Sequence, residues 1–184
     1  MISLDAFFWI FVVLFGIVGA MRGWSKELLV TFAVILTLFV INVVESLPIV
    51  GPALTKTPEI DFYVRVIMLT ILVFFGYQSP SFSRLAGNNR FAREKLQDSL
   101  LGFLLGAINA YLFIGTILFY LQKAFELMGT GKYPIEFILP VDSNTPAGIA
   151  YFELLKILPP VWLTGIGIYI AVALAFTFVL IVFI

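Results

Sequence analysis

The side chains most capable of chemistry in this sequence are the few charged ones beside long apolar stretches. Asp5 opens the first such stretch, and Asp61 and Arg65 lie one helical turn apart near the start of a later one. Ionisable groups inside a membrane are costly and usually mark substrate, proton or ion pathways. No Asp or Glu falls in the middle third of any apolar stretch, which argues against a proton- or sodium-coupled transporter.

These charged residues also have structural explanations, and we expect those to hold. Asp5 would interact favourably with the positive end of a helix dipole, with Ser3 as the N-cap; the alternative is a polar contact with another helix. Asp61 and Arg65, four residues apart, would form an ion pair at the membrane surface, with Arg65 extending outward to water. A pore or substrate role for Arg65 is the alternative.

Several classes of active site are excluded by residue type alone. The chain has no Cys and no His, which excludes disulfides, thiolate or imidazole metal sites, Cys nucleophiles and Ser-His-Asp triads. Its 11 basic and 11 acidic residues cancel, so no positive excess is present to bind nucleic acid through phosphates. We expect no catalytic residue, no metal, no cofactor and no nucleic-acid partner, and therefore a protein that is not an enzyme.

The composition requires a membrane around these residues. Hydrophobic residues make up 61% and charged residues 12% of the 184, and the mean hydropathy is +1.09. Average soluble domains are about half apolar and about a quarter charged. A spanning helix needs about 20 mostly apolar residues. We predict an all-α transmembrane helix bundle of about five spans, with one interfacial helix; the spans are 4–21, 27–44, 62–77, 100–121 and 161–184.

The connections between the spans predict their arrangement. The short link from Arg22 to Lys26 predicts that the first two helices are antiparallel neighbours. The long connection 122–160 contains a predicted helix capped by Thr145, with Pro146 in its first turn and Pro159 at its end. We expect that helix to lie in the lipid headgroup region; packing on the bundle is the alternative. We divide the chain into a four-helix region (1–127), a connection (128–160) and a C-terminal span (161–184).

Small residues mark one face of the fourth span. Gly102, Gly106 and Ala110 recur every four residues, and Asn109 adds a polar group beside them. Small side chains let membrane helices approach closely, and an amide can form a hydrogen bond to a neighbouring helix. We expect this face to pack inside the bundle; self-association or docking to a partner is the alternative.

The basic residues of the loops predict the orientation, because Lys and Arg are enriched in short cytoplasmic loops. With the N-terminus outside and the C-terminus in the cytoplasm, six basic residues fall in short inner loops and five at the outer side. The inner six are Arg22, Lys26, Arg84, Arg90, Arg93 and Lys95, and the outer five are Lys56, Arg65, Lys123, Lys132 and Lys156.

Two motifs resemble those of the colicin V production (CvpA) family of bacterial inner-membrane proteins. The first consists of Asp5 at the head of the first helix, the Arg22-Gly23 pair and Glu27, with Gly19 also fitting. The second consists of Asp98, Leu101-Gly102 and Gly106, and the resemblance covers roughly residues 1–121. The chain departs from the family at two places, where Ser99 and Asn109-Ala110 replace residues that are often Arg or Arg-Gly.

The resemblance implies a multipass bacterial inner-membrane protein linked to colicin V production or export, a toxin biosynthetic process, or to envelope maintenance. It implies no enzyme chemistry and no cofactor. It also makes Asp5, Arg22, Glu27 and Asp98 candidates for a structural polar network near helix ends. A scaffold or assembly factor is the function we expect, with the lipid bilayer and other membrane proteins, or a second copy, as partners. A small oligomeric channel or transporter and an accessory subunit of a larger membrane complex are the alternatives.

Overall fold

A computed structural model describes residues 3–78 and 92–183, and these residues form helices joined by turns and short loops. No strand occurs among them, as the sequence predicts. The helices are α1 Leu4–Arg22, α2 Trp24–Ser46, α3 Val50–Thr55, α4 Pro58–Tyr77, α5 Ala92–Met128, α6 Pro146–Leu155, α7 Pro159–Trp162 and α8 Ile166–Phe183. The predicted loop positions Arg84 and Arg90 lie outside the described residues.

Four of these helices are long and apolar enough to cross a membrane, namely α1, α2, α4 and most of α5. A fifth crossing is possible if the segment 146–162 and α8, which meet at a bend of 65°, form one broken span. The predicted fifth span from Val161 is therefore wrong in its start. Val161 belongs to α7, and Gly165 in a left-handed conformation (φ 52°) separates α7 from α8.

The fourth predicted span, 100–121, is the central part of the much longer helix α5. With 37 residues, α5 is about 55 Å long, whereas the hydrocarbon core of a bilayer is about 30 Å thick. α5 packs against α1, α2 and α4, whereas α1 and α2 contact each other only sparsely. The first two helices are therefore neighbours where they join at Gly23, as predicted. Along most of their length they do not pack against each other, and there the prediction is wrong.

Three of the described helices begin with a proline, namely α4 at Pro58, α6 at Pro146 and α7 at Pro159. Pro58 lies between the second and third predicted spans, and it is the first residue of α4. The missing N–H of a proline costs nothing in the first turn, where the amide has no partner in any case. α4 therefore starts four residues before the predicted Phe62, and the short helix α3 occupies part of the connection.

The predicted amphipathic helix is present as α6, and it packs on the end of the bundle. Thr145 caps it by accepting a hydrogen bond from the Gly148 amide at 3.0 Å. Tyr151 and Leu154 are buried, and Leu154 joins a core cluster that includes residues of α1 and α5. Burial raises the pKa of Tyr133 in the preceding loop, so this phenol stays protonated at neutral pH. Pro159 begins α7; α6 itself ends earlier, at Leu155.

Candidate functional site

The glycines of both motifs meet at the crossing of α1 and α5. A Cβ atom on Gly19 would overlap the carbonyl oxygen of Gly102, and one on Gly102 would overlap the carbonyl oxygen of Gly19. A Cβ atom on Gly106 would overlap the Phe15 carbonyl and approach the Gly19 Cα. The two backbones therefore touch, which only glycine permits. The predicted use of this face for packing inside the bundle agrees with the structure, and Ala110 continues it as a fully buried residue.

Asp98 of the second motif binds the turn formed by the first. Gly23 is the only residue between α1 and α2, and its φ of 87° is a conformation that L side chains rarely adopt. The Trp24 amide at the start of α2 donates a hydrogen bond to Asp98 Oδ1 at 3.1 Å. A Cβ on Gly23 would lie 2.9 Å from both Asp98 carboxylate oxygens. Asp98 thus serves as an N-cap supplied by another helix, and its negative charge faces the positive end of α2.

Arg22 and Glu27 form a partly buried ion pair beside this turn. Arg22 Nη1 lies 2.5 Å from Glu27 Oε1, and Glu27 is fully buried. Arg22 Nη2 donates to the carbonyl oxygen of Tyr77, the last residue of α4, at 3.0 Å. Its guanidinium also lies 4.3 Å from the centre of the Tyr77 ring. One arginine at the end of α1 therefore joins α2 and the negative end of α4.

Asn109 of α5 completes the set of partners around Glu27. Its Nδ2 donates to Glu27 Oε2 and to the Glu27 carbonyl, each at 2.9 Å, and its Oδ1 accepts from the Thr31 hydroxyl at 2.6 Å. Both carboxylate oxygens of Glu27 are therefore bonded, which offsets the cost of burying the charge. We call Arg22, Glu27, Thr31, Tyr77 and Asn109 the Glu27 cluster; it links α1, α2, α4 and α5.

Asp5 does not join the Glu27 cluster, although it belongs to the same motif. It lies in the first turn of α1, at the opposite end from Arg22, about 26 Å away along the helix. Ser3 is at the N-cap position, but its side chain makes no capping hydrogen bond. One carboxylate oxygen of Asp5 is buried and has no hydrogen-bond partner among residues 3–78 and 92–183. Its position in the first turn of α1 is compatible with the predicted interaction with the helix dipole.

A second polar cluster lies near the opposite end of the bundle and surrounds Arg65. Arg65 Nε bonds Asp61 Oδ1 at 2.8 Å, as the spacing predicts, and Nη2 pairs with Glu45 of α2. The expectation that Arg65 extends to water is wrong, because only 3% of the residue is exposed. The guanidinium lies 4.7 Å from the centre of the Tyr120 ring, and Lys123 Nζ is 3.7 Å from Glu45. These five residues are the Arg65 cluster.

Sequence reasoning did not place Thr31, Tyr77, Glu45, Tyr120 or Lys123 in any site. Tyr77 contributes a backbone carbonyl and a ring, and no residue type identifies such a contribution. Glu45 and Lys123 did carry a signal, because each is a charge within three residues of the end of a predicted span. Long-range pairing of such charges depends on which helices are adjacent, and that is fixed by the α5 packing.

The family model described as colicin V production protein matches residues 4–135, well over half of the 184 residues. The match contains α1 to α5 and both glycine motifs, whereas α6, α7 and α8 lie beyond it. No curated protein and no solved structure matches the chain. The apolar helices and the family match together make this a multipass membrane protein, and the chain belongs to the colicin V production protein family.

Proposed function

We propose that this protein is a non-enzymatic scaffold or assembly factor of the bacterial cytoplasmic membrane that supports colicin V production or export, or envelope maintenance. The observation that supports it is the use of the motif side chains. Arg22 and Glu27 bond to each other and to neighbouring helices, and Asp98 caps α2. Groups held in this way stabilise one arrangement of helices, which is what a binding platform for other membrane proteins needs.

The proposed orientation puts the N-terminus outside and the C-terminus in the cytoplasm, so that the Glu27 cluster lies at the cytoplasmic side. Its basis is the concentration of Lys and Arg in the short loops at that side. Reporter fusions after Met128 and after Ile184 test this orientation. A fusion at Ile184 that is active only outside the cytoplasm contradicts it.

The experiment for the function is deletion of the gene in a colicin V-producing strain, with secreted and intracellular toxin measured separately. We expect secreted toxin to fall and the wild-type gene to restore it. Gly106→Leu, which places a side chain on the α1 backbone, should fail to restore secretion. Ala173→Leu adds the same side chain to an exposed position of α8 and serves as the control. Unchanged toxin secretion in the deletion strain, with a normal envelope, contradicts the proposal.

A second function, as an accessory subunit of a larger membrane complex, is favoured by the exposure of α8. This helix carries no charge and packs mainly against α2. Its side chains are largely exposed within the chain, for example Ile166 (77%) and Leu174 (65%). Purification in a mild detergent separates the two functions, because a stoichiometric large complex is expected only for the accessory subunit.

A further inference from the structure

The connection between α5 and α6 is held against the end of the bundle. Tyr133 is buried, its ring centre lies 4.6 Å from that of Phe125, and its hydroxyl donates to Gln122 Oε1 at 2.9 Å. The Tyr63 hydroxyl, near the start of α4, donates to the carbonyl oxygen of Pro134 at 2.8 Å. The chain therefore turns back after α5 and lies beside the ends of α4 and α5.

The next part of this connection lies at the level where α1 begins. Residues 137–142 line one cavity, of about 570 Å³, together with Ser3 and Leu4. Leu4 is the first residue of α1, which is long and apolar enough to cross a membrane. The end of such a span lies at the boundary between the acyl chains and the lipid headgroups. This part of the connection is therefore at the membrane surface.

The apolar side chains of this segment divide into an inward set and an outward set. Ile135 and Ile138 are partly buried and pack against the core cluster. Phe137 and Leu139 point the other way and are 85% and 57% exposed. Single exposed apolar side chains are ordinary on a protein surface, whereas adjoining ones mark contact sites for proteins or membranes. The outward pair thus needs a covering phase, and lipid is within reach at this level.

Two neighbouring features favour lipid over a protein partner. Phe7 lies one helical turn from Ser3 on the same face of α1 and is 40% exposed, so the outward pair continues the apolar outer surface of a spanning helix. Glu136 and Asp142 are exposed on either side of the pair. These charges, and a loop backbone that hydrocarbon does not tolerate, limit the pair to the headgroup region.

We propose that Phe137 and Leu139 insert into the lipid interface on the side of the membrane where α1 begins. The two side chains reach about 5–10 Å into the boundary between headgroups and acyl chains, the depth typical of apolar groups that lie in an interface. The connection 129–145 is then a non-helical attachment of this protein to the bilayer. This inference holds for either orientation and is independent of the proposed function in colicin V production.

The test uses the absence of Cys from the natural chain, because an introduced cysteine is then a unique labelling site. Phe137→Cys is labelled with a polarity-sensitive fluorophore in the full-length protein, in lipid nanodiscs whose two faces are open to the buffer. Lipids that carry a nitroxide high on the acyl chain should quench the label strongly. Iodide in the water should quench it several-fold less than it quenches a label in solvent. Leu139→Cys should behave in the same way.

Ser143→Cys is the matched control, because Ser143 is exposed in a polar turn of the same connection, between Asp142 and Asn144. Its label should show the opposite pattern, with strong quenching by iodide and weak quenching by the lipid nitroxide. Phe137 is mostly exposed, so the cysteine removes little packing, and an unchanged melting temperature verifies the fold. Equal iodide quenching at positions 137 and 143 overturns the proposal. Protection from iodide without nitroxide quenching also overturns it, since protein rather than lipid then covers the pair.

Discussion

The Glu27 cluster and the Arg65 cluster contain similar side chains and differ in how completely those side chains are bonded. In the first, both carboxylate oxygens of a fully buried glutamate accept hydrogen bonds, and the glycine crossing adjoins it. In the second, one nitrogen of a buried arginine has no hydrogen-bond partner among the described residues, and its neighbours Glu45 and Lys123 are 35% and 41% exposed. Complete bonding and full burial favour a structural role for the Glu27 cluster.

The largest loss of stability is expected at the crossing of α1 and α5 beside the Glu27 cluster, where no space is left for a side chain. Gly106→Leu places a side chain on the backbone of Phe15 and Gly19, which cannot move as a side chain could. The cost should exceed the ~3 kcal/mol typical of overpacking, and most of the protein should fail to fold. Size-exclusion profiles in detergent measure this, with Ala173→Leu as the control. A normal profile for Gly106→Leu would contradict the close contact of α1 and α5.

Replacing one carboxylate in each cluster compares how much each cluster contributes to stability. Glu27→Gln leaves Arg22 without its anion and should lower the free energy of unfolding by about 2 kcal/mol, less than a fully buried pair because Arg22 is 21% exposed. Glu45→Gln should cost no more than about 1 kcal/mol, because Arg65 keeps Asp61. Thermal unfolding of both variants measures the difference. Equal losses would remove the distinction between the clusters.

Variants of Asp98 test whether its charge or its hydrogen bond to Trp24 stabilises the start of α2. Asp98→Ala removes the acceptor for the Trp24 amide and should cost about 1 kcal/mol. Asp98→Asn retains an oxygen at the same position and should cost much less, since Asn is also a good N-cap. The melting temperatures of the two variants report this. A loss in Asp98→Asn as large as in Asp98→Ala would indicate that the charge dominates.

The smallest effect on stability belongs to the most exposed member of the Arg65 cluster. Lys123→Met breaks a loose pair with Glu45 and should change the free energy of unfolding by less than about 0.5 kcal/mol. Thermal unfolding of this variant measures the change, and a large loss of stability would assign Lys123 a structural role.

The sequence was sufficient to locate the spanning helices α1, α2, α4 and α5, because hydrocarbon length and apolar composition determine them. It was also sufficient for the glycine face, since Gly102 and Gly106 recur at helical spacing. It was insufficient to predict the burial of Arg65. An arginine that extends to water and one that forms a buried ion pair are the same residue type at the same position, so the sequence does not distinguish them. The packing of α5 against α2 and α4 brings Tyr120 next to Arg65 and Lys123 next to Glu45. The start of α8 was missed for a related reason, because Pro159 and Pro160 open a short helix inside an otherwise apolar run.

The single-residue joint at Gly23 has a consequence for how the chain enters the membrane. With one residue between α1 and α2, neither helix can shift along the bilayer normal without the other, so the two must be inserted as one hairpin. Arg22 and Glu27 flank that joint only five positions apart and are already bonded to each other. A pair this close along the chain can form within the α1–α2 hairpin alone, without any contribution from α4 or α5.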